Sequence, residues 1–319
     1  MKLVSIDAMP GARTGVLIGD SVLDFARAEI VLPLAGWVPC SMPRLLAAGE
    51  HGLDIIRRLI DAVESGHSDE AERLKVAGAL TPVEEVKLAP SVPRPGILLS
   101  HGRAYRSHLD EMATKTDLAK SIPEEPKAFL KNVNSLLATE APIMLPPQCA
   151  DMVDFEAEFS IVFGRDCHNV APEEAMEAVA GYTIMHDVSA RDWVATNDWD
   201  LNRMGKQLPT FAPLGPVITT KDEMPDPHNL QLTTRVNGET MQLAHTKDLI
   251  WRIPDLISFF SRWYPFRAGD ILTTGSPAGV GFARNPPVFL KAGDVVEITV
   301  DGIGTLRNPV AAAEFASWH

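Results

Sequence analysis

Asp154-Phe155-Glu156-Ala157-Glu158-Phe159-Ser160-Ile161 reads as a β-strand with two unlike faces. Side chains along a strand alternate, so Phe155, Ala157, Phe159 and Ile161 share one face, and Glu156, Glu158 and Ser160 the other. The two carboxylates then lie ~7 Å apart at Cβ. They repel each other unless water or a cation lies between them. An ordinary strand with one wetted face accounts for the pattern. So does an oxygen-ligand site for a hard divalent ion such as Mg²⁺. A third carboxylate bears on the choice. Gly181-Tyr182-Thr183-Ile184-Met185-His186-Asp187 is apolar until it ends in His186-Asp187, so an acidic residue at a strand end can complete a three-carboxylate site. Arg191, four residues on, turns toward the same place if a helical turn follows; otherwise it pairs with Asp187 or Asp192.

Outward from these strands the chain is strand-rich and punctuated by Gly and Pro. Residues 97–99, 128–130, 230–236, 270–274, 295–300 and 305–310 read as further strands, with turns at Gly302 and Gly304. Residues 173–180 read as a helix with acidic residues in its first turn. Toward the N-terminus, residues 3–6, 15–18 and 21–23 form short strands. Residues 42–64 follow the helical period after interruptions at Gly49 and Gly52, and residues 69–76 form a shorter helix. Pro82, Pro90, Pro93 and Pro95 mark a boundary. The reading is a small N-terminal α/β domain over residues 1–85 and a larger domain over 86–319. The latter is α+β and β-rich, built on a rolled or barrel-like sheet. Residues 114–126 are polar, charged and aperiodic, which predicts a mobile loop.

Composition excludes some functions. The net charge of -13 is wrong for a phosphate-backbone binder, so no nucleic-acid partner is expected. No apolar run reaches ~18 residues, so no membrane span is expected. The three cysteines, Cys40, Cys149 and Cys167, form no CxxC pair, and an odd number gives no disulfide framework. A reducing, cytoplasmic setting is the simplest reading. Residues 1–7 lack the apolar core of a signal peptide and read as a strand.

The same motifs resemble the fumarylacetoacetate hydrolase family, in its acylpyruvase and 2-hydroxyhepta-2,4-diene-1,7-dioate isomerase-like subgroup. Besides Asp154 to Glu158 and Gly181 to Asp192, the resemblance runs through Gly205-Lys206, Pro213-Leu214-Gly215-Pro216, Val236-Asn237-Gly238-Glu239, Gly269 to Gly281 and Gly302 to Leu306. It implies a β-rich catalytic domain, usually dimeric, with Mg²⁺ or Mn²⁺ held by Glu156, Glu158 and Asp187. It implies Lys206 as a cationic contact to substrate and Gly275-Ser276-Pro277 as a pocket wall. Gly102 to Glu111 looks like the family's Asn-Tyr-x-x-His region. His108 and Glu111, three apart, share a helix face and form a base with its orienter, although a surface pair has the same spacing. Tyr105, Lys131, Arg191, Gly275 and Ser276 are expected around the substrate. Lys131 needs carboxylates beside it if it is buried.

The family's substrates are small 2-oxo acids, which present a carboxylate and a keto oxygen to an octahedral cation. The first expectation is therefore hydrolysis of a C–C bond in a 2,4-dioxo acid of the acylpyruvate or fumarylpyruvate type, as in aromatic-compound catabolism. His108 activates water and Lys206 stabilises the oxyanion. The alternative is decarboxylation of an oxaloacetate-like acid, or enol–keto isomerisation. A third reading is a catalytically weak relative that binds a 2-oxo acid. Two departures stand out: Val194 where many relatives have Gln, and Ala104 where Asn is usual.

Overall fold

The computed structural model describes residues 1–8, 11–65, 68–114, 122–148, 151–194 and 204–313. Part of the expected loop (115–121) and the side chain of Val194 lie outside the described residues.

An eleven-stranded sheet organises the chain. Its order is Leu80–Pro82, Ser21–Asp24, Arg13–Ile18, Lys2–Ile6, Ala212–Thr220, Val179–His186, Ala157–Phe163, Ile271–Thr273, Leu98–Gly102 and Lys127–Leu130, with Leu136–Leu137 also pairing with Ala212–Thr220. A five-stranded sheet runs Glu239–His245, Gln231–Val236, Val295–Val300, Gly304–Ala312 and Ile143–Leu145. Two short strands, Val153–Asp154 and Ser189–Ala190, form a separate pair. The class is α+β and strand-rich, as the sequence predicts. The barrel alternative is corrected: the path of the large sheet ends at Leu80–Pro82 on one side and Lys127–Leu130 on the other, and no closed barrel forms among the described residues.

The strand Ala157–Phe163 is buried on both faces. Phe155, Phe159, Ile161 and Phe163 share a core with Leu232, Val296 and Ile298 of the five-stranded sheet and with Ile253, Leu256, Ile257 and Phe260 of the helix Ile253–Ser261. Phe163 stacks on Phe266 with centroids 4.2 Å apart. Each such buried aromatic contributes on the order of 2–3 kcal/mol. On the opposite face, Val162 packs in a second core with Leu45, Leu46, Ile56 and Leu59 from the helices Met42–Ala47 and Gly49–Ser65. Gly49, at φ +55°, separates those helices. Gly52, expected as a second interruption, is helical; a Cβ there would lie 2.9 Å from that of Ala48.

Residues 1–85 contribute strands to the large sheet. Leu3 pairs with Ile218, and Ser5 Oγ donates to the carbonyl of Ser91 at 2.9 Å. The helix expected over 173–180 is shorter. One α-turn, Pro172–Ala175, tightens into a 3-10 turn, Met176–Ala178, and Val179 already pairs with Phe163. Strand pairing of a β-branched residue outweighs helix continuation there.

Candidate metal centre

Strand register assembles the carboxylates. Ala157 pairs with His186, and one step further the Asp187 amide donates to the Glu156 carbonyl at 2.8 Å. Opposed residues of an antiparallel pair share a face, so Asp187 lands beside Glu156, with Glu158 two positions along. One ligand oxygen from each of the three lies within 4.8 Å of the others. Glu156 is 5%, Glu158 2% and Asp187 1% exposed, which rules out a wetted strand face.

Three cations divide the oxygens among them. Arg191 Nη2 donates to Glu156 Oε1, and its Nε donates to Asp154 Oδ2 at 2.8 Å. Lys131 Nζ donates to Asp187 Oδ1 and to the Lys206 carbonyl, each at 2.5 Å. Lys206 Nζ donates to Glu156 Oε2 and, at 2.7 Å, to Asp187 Oδ2. Glu158 Oε2 accepts from Ser100 Oγ at 3.3 Å.

These neighbours set the electrostatics. Burial works to raise the Glu156 pKa, but the charges of Arg191 and Lys206 outweigh it and hold the group well below the usual carboxylate range. Burial, then the charge of Asp187, pushes Glu158 well above that range. Burial opposes the charge of Lys206, yet Asp187 and Glu156 prevail and push it up to about 12. Burial lowers the pKa of Lys131, with Asp187 in partial opposition. A buried, all-oxygen triad in which one carboxylate resists ionisation beside its neighbours fits a hard divalent cation such as Mg²⁺ or Mn²⁺. Glu156, Glu158 and Asp187 would hold it.

The expected base lies at the same place. His108 and Glu111 are on the helix Arg106–Ala113, with His108 Nδ1 3.4 Å from Glu111 Oε2. Both Glu111 oxygens accept from the Gly279 amide, at 2.9 and 3.1 Å, so a loop backbone fixes the orienter. His108 lies close enough to Glu156 for a positive charge on its ring to lower the Glu156 pKa further. Tyr105 precedes this helix and is fully buried, in a small cluster with Ala104 and Leu249. Gly275 adopts φ +78°, and a Cβ there would lie 2.7 Å from both the Ala104 Cβ and the His101 carbonyl, so the wall approaches that segment closely.

Ser276 is held by a residue absent from the sequence reading. Gln242, fully buried, donates to Ser276 Oγ and to the Pro277 carbonyl, both at 3.0 Å. Its Oε1 accepts from the Ala157 amide at 3.1 Å and from Thr234 Oγ1 at 2.8 Å. Ser100 is a second such residue; its hydroxyl lies 3.5 Å from Asp187 Oδ2 as well as near Glu158. Neither carries a spacing signal, because each works through partners distant in sequence.

The family model described as fumarylacetoacetate (FAA) hydrolase C-terminal matches residues 98–311. The Homo sapiens protein named oxaloacetate tautomerase FAHD2A, mitochondrial, is 37% identical over 273 residues, covering 86% of this chain and 80% of that protein. Oxaloacetate tautomerase YisK of Bacillus subtilis (strain 168) is 33% identical over 298 residues, covering 93% of this chain and 95% of its own. Among solved structures, maleylpyruvate hydrolase from Sphingobium sp. SYK-6, in complex with manganese(II) ion and pyruvate, superposes with a TM-score of 0.75 at 30% identity, covering 98% of this chain and 100% of that one. The family match spans the strands, helix and loops that build the metal centre, and both tautomerases align along most of their length: the chain belongs to the fumarylacetoacetate hydrolase family.

Proposed function

We propose that this protein interconverts the enol and keto forms of a small 2-oxo dicarboxylic acid of the oxaloacetate class, with Mg²⁺ or Mn²⁺ at Glu156, Glu158 and Asp187. The observation that carries this reading is the similarity, over most of the length, to oxaloacetate tautomerases from an animal and a bacterium. It reverses the order expected from sequence, where C–C hydrolysis stood first. Hydrolysis is the second reading, favoured by the structural likeness to maleylpyruvate hydrolase.

When bound, the metal polarises the C2 carbonyl and stabilises negative charge on its oxygen. The chain's own residues supply the rest. His108, aimed by Glu111, takes a proton from C3 and delivers it to the C2 oxygen, or reverses both steps. Glu111 keeps its direction because the Gly279 amide holds both its oxygens. Lys206, with its pKa pushed up to about 12, is a cation at neutral pH and opposes charge developing on the C2 oxygen. Tautomerisation consumes no water, whereas hydrolysis needs one directed at C4.

The setting proposed is a homodimer in a reducing, cytoplasmic compartment. Free thiols at Cys40 and Cys167 suit the reducing part of this setting. Among the described residues no helix is long and apolar enough to cross a membrane.

The test follows the ultraviolet absorbance of enol-oxaloacetate in parallel with pyruvate release from acetylpyruvate, each with Mn²⁺ and with a chelator. The expected result is Mn²⁺-dependent loss of the enol that outpaces acetylpyruvate cleavage. Faster cleavage of acetylpyruvate restores the hydrolase reading. Absence of both reactions in protein that binds Mn²⁺ and pyruvate identifies a binding module.

A further inference from the structure

Asp154 opens the metal-ligating stretch, and its carboxylate is fully buried and enclosed by donors. Oδ1 accepts from the amides of Phe155 at 2.8 Å and Gly281 at 2.7 Å. Oδ2 accepts from the Phe282 amide at 3.0 Å and from Arg191 Nε at 2.8 Å. The same guanidinium donates to Glu156 Oε1, while Glu156 Oε2 faces Lys206. The loop carrying the amides is pressed against the carboxylate. A Cβ on Gly281 would lie 1.8 Å from the Val288 carbonyl and 2.7 Å from Asp154 Oδ1. Two residues earlier the same loop donates the Gly279 amide to Glu111.

We propose that Asp154 is a positioning residue that sets two parts of the site at once: through Arg191 it fixes the rotation of Glu156, and through the Gly281 and Phe282 amides it fixes the loop that holds Glu111. The inference rests on the metal-site reading above. A carboxylate with four donors in different directions has one orientation. The planar fork of Arg191 transmits that orientation to Glu156 in a way a single ammonium cannot. Outer partners of this kind tune metal affinity by holding the ligand's rotamer.

The experiment is calorimetric titration of the full chain with Mn²⁺, for wild type, Asp154→Asn, Arg191→Lys and the double variant. Asparagine keeps one oxygen for backbone amides but loses the charge that seats Arg191. Each single variant is expected to raise the Kd about 10- to 100-fold. The double variant is expected to be no weaker than the worse single one, because both changes break one linkage. A purely structural role moves the melting temperature and the titration stoichiometry, but not the Kd of the folded fraction. Unchanged Kd in Asp154→Asn or Arg191→Lys, or additive losses in the double variant, overturns the proposal. If Asp154→Asn does not fold, Arg191→Lys decides alone, with unchanged affinity overturning the proposal and weakened affinity supporting it. Wild-type protein that binds no Mn²⁺ overturns the metal site itself, and this inference with it.

Discussion

Lys131 and Asp187 form a buried ion pair, with Nζ 2.5 Å from Oδ1 and side chains 0% and 2% exposed. This pair separates two proposed metal ligands, Asp187 and Glu158, that look equivalent in sequence. Asp187→Ala leaves an ammonium uncompensated in the interior and is expected to cost about 3–5 kcal/mol. Glu158→Gln removes a carboxylate that burial and Asp187 already disfavour in its charged form, and is expected to leave the melting temperature unchanged or raised. Both variants are expected to lose Mn²⁺ binding. Thermal denaturation beside calorimetry checks the contrast, and equal destabilisation would refute it.

In the proposed reaction His108 serves proton transfer and not metal ligation. His108→Ala is expected to slow enol–keto interconversion by about 100-fold or more, the usual scale for a lost acid–base group. Its Mn²⁺ affinity should match wild type. Glu111→Gln keeps an acceptor for the Gly279 amide, so it should fall between the two. Stopped-flow absorbance on the Mn²⁺-loaded proteins measures the effect; full activity in His108→Ala assigns the proton transfer elsewhere.

Gln242 offers a test of the pocket wall. Gln242→Glu retains the oxygen that serves Ala157 and Thr234 but loses the donor to Ser276 and Pro277. KM should rise more than kcat falls. Gln242→Leu strands several buried polar groups, each costing about 1–3 kcal/mol, and should lower the melting temperature sharply. Unaltered KM in the Glu variant would separate Ser276 from substrate.

His101 predicts an acid-side instability. Its ring packs edge-on against Trp251, centroids 5.5 Å apart, and Phe260, 5.8 Å apart. Burial lowers its pKa from 6.5 to about 4 in the folded chain. Between those values the unfolded chain binds a proton that the folded chain refuses, so stability falls as pH drops from 6.5 toward 4 and is fully present above 6.5. The contribution is roughly 3 kcal/mol. Urea unfolding of wild type and His101→Phe across that range should show a shallower slope for the variant; identical slopes would discount His101 as the source.

The carboxylate triad was legible in part: Glu156 and Glu158 stand at alternate positions of one strand, which aims them to one side, whereas Asp187 joins them through the register of the neighbouring strand, and a ligand role for all three was implied only by the family resemblance. Asp154 and Gln242 were not. Their partners are backbone amides and hydroxyls brought in by the fold; Gly281, for one, is 127 residues from Asp154. The strand Ala212–Thr220 is hidden by Pro213, Gly215 and Pro216, which ordinarily argue against a central strand. It survives because its pairing with Val179–His186 is interrupted there: Tyr182 meets Thr219, but Ile184 meets Gly215. The helix Ile253–Ser261 has apolar residues at 253, 256, 257 and 260, a helical spacing but only about two turns long, too short to stand out among the surrounding strands. The rolled sheet was anticipated in kind, but its open ends depend on strand order, which periodicity does not encode.

The strand Lys2–Ile6 sits between Arg13–Ile18 and Ala212–Thr220, with Leu3 paired to Val16 on one side and Ile218 on the other. During synthesis the first partnership can form within seconds of leaving the ribosome, whereas the second must wait for some two hundred further residues. Until then the amino-terminal hairpin presents an uncapped edge, a template for pairing with other chains. The large sheet is therefore completed late in the life of the nascent polypeptide, and residues 212–220 must emerge before the amino-terminal strands find their last partner. Ribosome-bound chains truncated before residue 212 are expected to depend most on chaperone protection.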